Sequence, residues 1–74
     1  MAEITYEITE ELGTLGEGNG IWTKELNMVS WNNRAPVFDL RPWSIDHERM
    51  SKGITMSKEE IIALRDLLNS LELD

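Results

Sequence analysis

The feature that most constrains the fold is a change of hydrophobic period at Ser57. Before it, in residues 4–8 and 37–43, apolar and polar side chains alternate as in a half-buried strand. After it, apolar residues recur at three- and four-residue spacing, as on one side of a helix. Ser57 followed by Glu60 is a capping box, which marks the start of that helix. The pattern predicts an α+β fold with strands first and one C-terminal α-helix.

Turn signals divide the first part of the chain into four strands. The glycine-rich residues 16–20 and the NNRAP stretch at 32–36 are turns by composition. The strands are expected over residues 4–8, with a bulged continuation near 13–15, then 21–31, 37–43 and 53–56, with Pro42 marking an edge or the end of the third. In the second strand Trp22 and Trp31 have opposite parity, and a bulge would reverse the faces midway.

The chain is small for an independent fold. It has 74 residues and no cysteine, and we treat residues 1–74 as one domain. His47 is its one histidine, so a zinc site would have to rely on carboxylates, and we predict no metal and no cofactor. A leucine-rich helix of about 16 residues has more apolar surface than one small sheet covers. We therefore expect a homodimer whose helices pair through Ile61, Leu64, Leu68 and Leu71.

Charge is unevenly distributed along the sequence. The net charge is −7, divided as −5 over residues 1–20, +1 over 21–52 and −3 over 53–74. Overall acidity argues against ordinary electrostatic binding to duplex DNA or to an anionic membrane. The start of the sequence has neither the basic residues nor the apolar run of a signal peptide, and no window has the length of a membrane span. We expect a soluble cytoplasmic protein, with nucleoid association open.

The third strand carries the most informative side chains. Asp39, Arg41 and Trp43 share one face, while Phe38 and Leu40 share the other. Aromatic and cationic side chains on a solvated sheet face suit unpaired nucleic acid, which offers flat rings and negative charge. Arg41 has a competing assignment as a surface ion pair with Asp39, although its five donors are enough for a carboxylate and a phosphate together.

The other tryptophans and the histidine have simpler interpretations. Trp31 fits a core position and a base-stacking position equally. Trp22, beside the glycine turn, fits a structural position that covers the core, and its proximity to Lys24 leaves base stacking as the alternative. His47 lies between two acids in a polar loop and is expected to be solvated. No serine has a triad or elbow spacing, and residues 16–20 lack the Lys-Ser or Lys-Thr of a phosphate-binding loop. We predict that the protein is not an enzyme.

Residues 21–71 resemble a known family. An Asp-hydrophobe-Arg strand leads to Trp43, and KGITM at 52–56 enters the helix; upstream, KELNMVSWN at 24–32 matches the preceding strand. This string resembles the transcriptional positive cofactor (coactivator p15) family of single-stranded-DNA-binding proteins, and is most similar to its short bacterial YdbC-like members. The resemblance implies a homodimer of curved four-stranded antiparallel sheets, each followed by a helix, with single strands held in aromatic and basic channels.

The resemblance also implies which residues bind. It assigns Trp31 and Trp43 to base stacking and Arg41 and Lys52 to phosphates. Lys24 and Arg34, from the segment 21–52 with its net charge of +1, complete the prediction. The predicted nucleic-acid-binding residues are Lys24, Trp31, Arg34, Arg41, Trp43 and Lys52. Eukaryotic members are lysine-rich at the second hairpin turn, where this chain has Arg34 alone. The predicted function is single-stranded DNA binding, with RNA open, in transcription, replication or repair; the alternative is an acidic protein-interaction module using the helix or a sheet edge.

Overall fold

The computed structural model describes residues 4–16 and 20–73. Its elements are β1 (Tyr6–Thr14), β2 (Trp22–Trp31), β3 (Val37–Ser44), β4 (Ile54–Met56) and α1 (Lys58–Asn69). The strands form one antiparallel sheet in the order β1-β2-β3-β4, and the helix follows. The predicted ββββα fold is confirmed, while the homodimer stays a prediction. None of the described helical residues forms a segment long and apolar enough to cross a bilayer.

Left-handed backbone conformations mark both predicted hairpin turns. Asn32 and Asn33 have φ of 52° and 63°, and the Arg34 amide donates to the Trp31 carbonyl at 3.0 Å. This is a type I′ turn, in which asparagine is tolerated better than most residues. Gly16 and Gly20 also have positive φ, but residues 17–19 of that predicted turn lie outside the described residues.

Three features of the strands differ from the sequence pattern. β1 runs on to Thr14 because two register shifts, between Ile8 and Glu10 and between Glu11 and Gly13, let it follow β2. β2 has an unbroken register with β3, so the face-reversing bulge is absent from the described part of the strand. β3 continues through Pro42 to Ser44: the Pro42 carbonyl accepts from the Ser51 amide at 3.1 Å, so its missing N–H points away from β2.

The unbroken register gives the sheet two distinct faces. The aromatic face carries Tyr6, Glu11, Glu25, Asn27, Val29, Trp31, Asp39, Arg41 and Trp43. The apolar face carries Leu26, Met28, Phe38, Leu40 and Met56. The buried side chains of the sheet lie mainly on the aromatic face, whereas the apolar residues are only half-buried. A single short helix is therefore an incomplete cover for the apolar face.

The helix begins as predicted and ends earlier. The Glu60 amide donates to Ser57 Oγ at 3.1 Å, and the Ser57 amide donates to Glu60 Oε1 at 2.8 Å, which confirms the capping box. The helix has 12 residues, because the amide and hydroxyl of Ser70 both donate to the Leu67 carbonyl and close the last turn. It packs against β3 and β4 with Ile61 and Leu64 half-buried. Leu67, Leu68 and Leu71 remain 58%, 44% and 50% exposed.

Candidate functional site

Aromatic rings from three elements meet on the aromatic face. The Tyr6 ring lies 6.0 Å from Trp31 and 5.3 Å from Trp43, centroid to centroid, and His47 lies 5.7 Å from Trp43. The Tyr6 hydroxyl donates to the His47 carbonyl at 2.8 Å. These spacings are those of favourable tilted aromatic pairs. β1, β2, β3 and the loop after β3 are therefore joined at one aromatic cluster.

Arg41 is held by three partners on this face. Its Nε and Nη2 donate to the two Asp39 carboxylate oxygens, each at 2.7 Å, and Nη1 lies 3.3 Å from the Met50 sulfur. Its guanidinium carbon stands 4.7 Å above the Trp31 ring. The ion pair with Asp39 is thus present, and Asp39 is fully buried. Within residues 4–16 and 20–73, these bonds account for three of the five N–H donors of Arg41 and leave two without a partner.

Trp43 lies on the predicted face but is not solvated. It shares its face with Arg41, as the alternation predicts, yet its exposed fraction is 0%. Tyr6 and His47 cover it, so the expectation of an open stacking platform at Trp43 is wrong. Trp31 lies on the same face and is half-buried, so it is less completely covered than Trp43. Among the described residues, neither indole N–H has a hydrogen-bond partner.

The predicted lysines lie together, away from the aromatic cluster. Lys24 and Lys52 line a cavity of about 280 Å³ together with Arg41, Leu40, Pro42 and Ile54. Both lysines are exposed. Arg34 is exposed at the β2–β3 turn, where the Ser30 hydroxyl donates to its carbonyl at 2.6 Å. The six predicted residues therefore occupy three places: the aromatic face, the lysine cavity and the turn.

Gly53 serves the sheet rather than a ligand. A Cβ at this position would overlap the Leu40 carbonyl oxygen and the Arg41 Cβ, and would lie 2.9 Å from the Arg41 Cα. The close backbone approach predicted at Gly53 is therefore an approach to β3 itself. Only glycine lets the chain enter β4 at this distance.

The loop of residues 45–50 is tied down by polar bonds of its own. The Ser44 hydroxyl and the Glu48 amide donate to Asp46 Oδ1 at 2.7 and 3.0 Å. The Glu48 amide first, and then the Ser44 hydroxyl, lower the pKa of the Asp46 carboxyl, since both stabilise its charged form. The Ser44 amide donates to the Arg49 carbonyl at 2.9 Å, and His47 adopts φ of 60°. This loop geometry turns the His47 ring toward the sheet.

The sequence pattern missed a polar cluster beside the aromatic one. His47 Nε2 lies 2.9 and 3.0 Å from the two Glu25 carboxylate oxygens, and Asn27 Nδ2 donates to Glu25 Oε1 at 3.0 Å. Glu11, Glu25 and His47 bring ligand atoms within 4.8 Å of one another. His47 is thus half-buried, and the expectation of a solvated loop histidine is wrong. The parity of Glu25 and Asn27 with Trp31 indicated their face, but no sequence signal placed His47.

An open antiparallel sheet with aromatic and cationic side chains on one face, followed by a helix in contact with β3 and β4, is an architecture suited to nucleic-acid binding. The family model for Transcriptional Coactivator p15 (PC4) matches residues 19–67. An uncharacterized protein of Treponema pallidum (strain Nichols) is 49% identical over 69 residues, which cover 93% of this chain and 81% of that protein. The chain belongs to the transcriptional coactivator p15 family, and this membership supports a nucleic-acid-binding role connected with transcription.

Proposed function

We propose that the protein binds single-stranded nucleic acid, with single-stranded DNA as the preferred ligand, and acts without catalysis as an accessory factor in transcription, replication or repair. The observation that carries this proposal is the stacking of Arg41 on the half-buried Trp31. Asp39 fixes the guanidinium in place, so the cation and the ring are already arranged before a ligand arrives. Preorganisation of this kind lowers the entropy lost on binding.

Each predicted residue receives a role that fits its place. Trp31 offers ring surface to a base, and Arg41 offers its two remaining N–H groups to a phosphate. Lys24 and Lys52 form a second cationic point at the lysine cavity, and Arg34 a third at the turn. Trp43 packs against Tyr6 and is fully buried, so its role in the described conformation is structural and it does not stack on a base.

A homodimer is part of the same proposal. Leu67, Leu68 and Leu71 are exposed, and the apolar residues on the apolar face of the sheet are only half-buried. A second copy that pairs at these residues would cover both surfaces. Leu68→Glu should give a monomer, or an unfolded chain, in sedimentation at micromolar concentration, because it places a charge in the interface. A wild-type protein that sediments as a monomer would contradict this part of the proposal.

The test of binding is a titration with oligothymidylate, oligouridylate and duplex DNA, followed by tryptophan fluorescence and by the mobility of a labelled strand. Quenching by single strands and little response to duplex are expected. Trp31→Ala should lower single-strand affinity by about 1–3 kcal/mol, the usual loss for one stacked base. Trp22→Ala is the matched control, because Trp22 is also half-buried but lies at the other end of β2 from Trp31 and the guanidinium that stacks on it.

Salt dependence tests the phosphate contacts. Two or three contacts predict a slope of log affinity against log salt of about −1.5 to −2, at roughly 0.7 per contact for single strands. Lys24→Ala and Lys52→Ala should each flatten that slope, whereas Lys58→Ala, an equal charge change at the start of the helix, should not. If none of the three ligands binds, the protein-interaction alternative replaces this proposal.

A further inference from the structure

We propose that Glu11, Glu25 and His47 form a binding site for one divalent transition-metal ion of the zinc type. Each residue comes from a different part of the fold: β1, β2 and the loop of residues 45–50. Their ligand atoms all lie within 4.8 Å of one another. The site neither uses the residues proposed for nucleic-acid contact nor depends on that function.

The distances are close to those that coordination requires. In a tetrahedral zinc site, with bonds of about 2.0–2.2 Å, ligand atoms stand about 3.3–3.6 Å apart. His47 Nε2 and the Glu25 oxygens are already 2.9 and 3.0 Å apart, so an ion would take the place of the proton they share. Glu11 is exposed, and a change of its rotamer is enough to bring its carboxylate in. The ion would leave His47 and Glu25 nearly where they are.

An unsatisfied amide points to the same place. Asn27 is 1% exposed, its Nδ2 donates to Glu25 Oε1, and its Oδ1 has no partner among the described residues. Turning the amide by 180° would direct Oδ1 at the Glu25 carboxylate, an arrangement that a cation between the two oxygens would stabilise. Asn27 is thus placed to serve as a fourth ligand or to orient Glu25 as a second-sphere partner.

The charge of Glu25 also favours a cation. Buried Asp39 is neutralised by the bidentate Arg41, whereas buried Glu25 has no lysine or arginine ion pair within residues 4–16 and 20–73. A buried carboxylate is costly unless it is paired or binds a metal. Imidazole nitrogen with carboxylate oxygens suits zinc and its neighbours, while magnesium and calcium prefer oxygen ligands alone. Mg²⁺ should therefore bind more weakly than Zn²⁺.

The experiment is calorimetric titration of the intact chain with Zn²⁺ and with Mg²⁺ at neutral pH, together with thermal unfolding with and without Zn²⁺. One Zn²⁺ per chain and a rise in Tm are expected. Glu11→Gln should weaken Zn²⁺ binding about tenfold or more and so reduce the rise in Tm at the same Zn²⁺ concentration. The matched control is Glu10→Gln: Glu10 is an exposed acid of the same strand, but it pairs with Met28 on the apolar face. This variant should bind as the wild type does.

A second variant tests the imidazole. His47→Asn retains a residue that accepts φ of 60°, so the loop should keep its shape while the ring nitrogen is lost. Zn²⁺ binding should fall by a similar factor. The absence of Zn²⁺ binding to the wild type, or binding that Glu11→Gln leaves unchanged, would overturn the proposal. Because Glu11 is exposed, that result holds even if His47→Asn fails to fold.

Discussion

Replacing Trp43 by alanine should destabilise the fold rather than only weaken ligand binding. Trp43 has no exposed surface and contacts Tyr6 and His47, so its removal leaves a cavity at the point where β1, β3 and the following loop meet. Large aromatic-to-alanine changes in cores cost about 3–5 kcal/mol. A domain of this length has a total stability of about 4–11 kcal/mol, so Trp43→Ala should remove a large fraction of it.

The measurement is urea unfolding followed by far-ultraviolet circular dichroism, since the substitution itself alters the fluorescence signal. Trp43→Phe should cost less than alanine for two reasons: it keeps most of the ring volume, and the lost indole N–H has no partner among the described residues. Trp31→Ala is the comparison variant on the same face. It should also cost less, because Trp31 is half-buried.

One result would refute this reasoning. If Trp43→Ala unfolds cooperatively within about 1 kcal/mol of the wild type, Trp43 is not part of a packed cluster in solution. Loss of single-strand affinity in the same variant would then return Trp43 to the role of a stacking platform. If Trp43→Ala instead has no folded population, the result supports the burial of Trp43 in a packed cluster.

Two further predictions concern the support of the same face. Gly53→Ala should lower Tm by several degrees, because its Cβ would overlap the Leu40 carbonyl, whereas Gly13→Ala, with no atom within 4 Å of the added Cβ, should leave Tm nearly unchanged. Equal effects of the two substitutions would contradict the close approach. Arg41→Ala should cost about 3–5 kcal/mol in urea unfolding, because it leaves the buried Asp39 carboxylate unpaired. A double-mutant cycle with Asp39→Ala should recover part of that loss, and strict additivity would argue against the pair.

Local patterns were sufficient to predict the elements. The capping box at Ser57 and Glu60 fixes the start of the helix through two short-range hydrogen bonds, so no tertiary information is needed. The alternation around Arg41 also fixes the face of each side chain, since period 2 is a property of any strand. The end of the helix was harder to place. The leucine spacing continues to Leu71, but the bonds of Ser70 close the helix before it.

Burial on the aromatic face could not be read from the same patterns. The alternation of side chains predicts the face of the sheet on which Trp43 lies, but it does not predict which residues bury the Trp43 ring. Its cover comes from Tyr6, two strands away, and from His47, whose position depends on its own left-handed backbone conformation in the loop of residues 45–50. The pairing of Glu25 with His47 has the same origin. Sequence reasoning fails here because the contacts join segments 22 and 41 residues apart.

The distribution of burial links the proposed dimer to the choice of binding face. In one chain the aromatic face is the better packed side, while the apolar face and the helix leave Leu67, Leu68 and Leu71 exposed. Exposed apolar area of this kind favours association, because its removal from water contributes about 25 cal/mol per Å². A second copy on the apolar side would leave the aromatic face, with Trp31 and Arg41, directed outward. Dimerisation would thus leave the aromatic face as the one open to nucleic acid. A variant that abolishes pairing should therefore also weaken single-strand binding, although it changes none of the proposed binding residues.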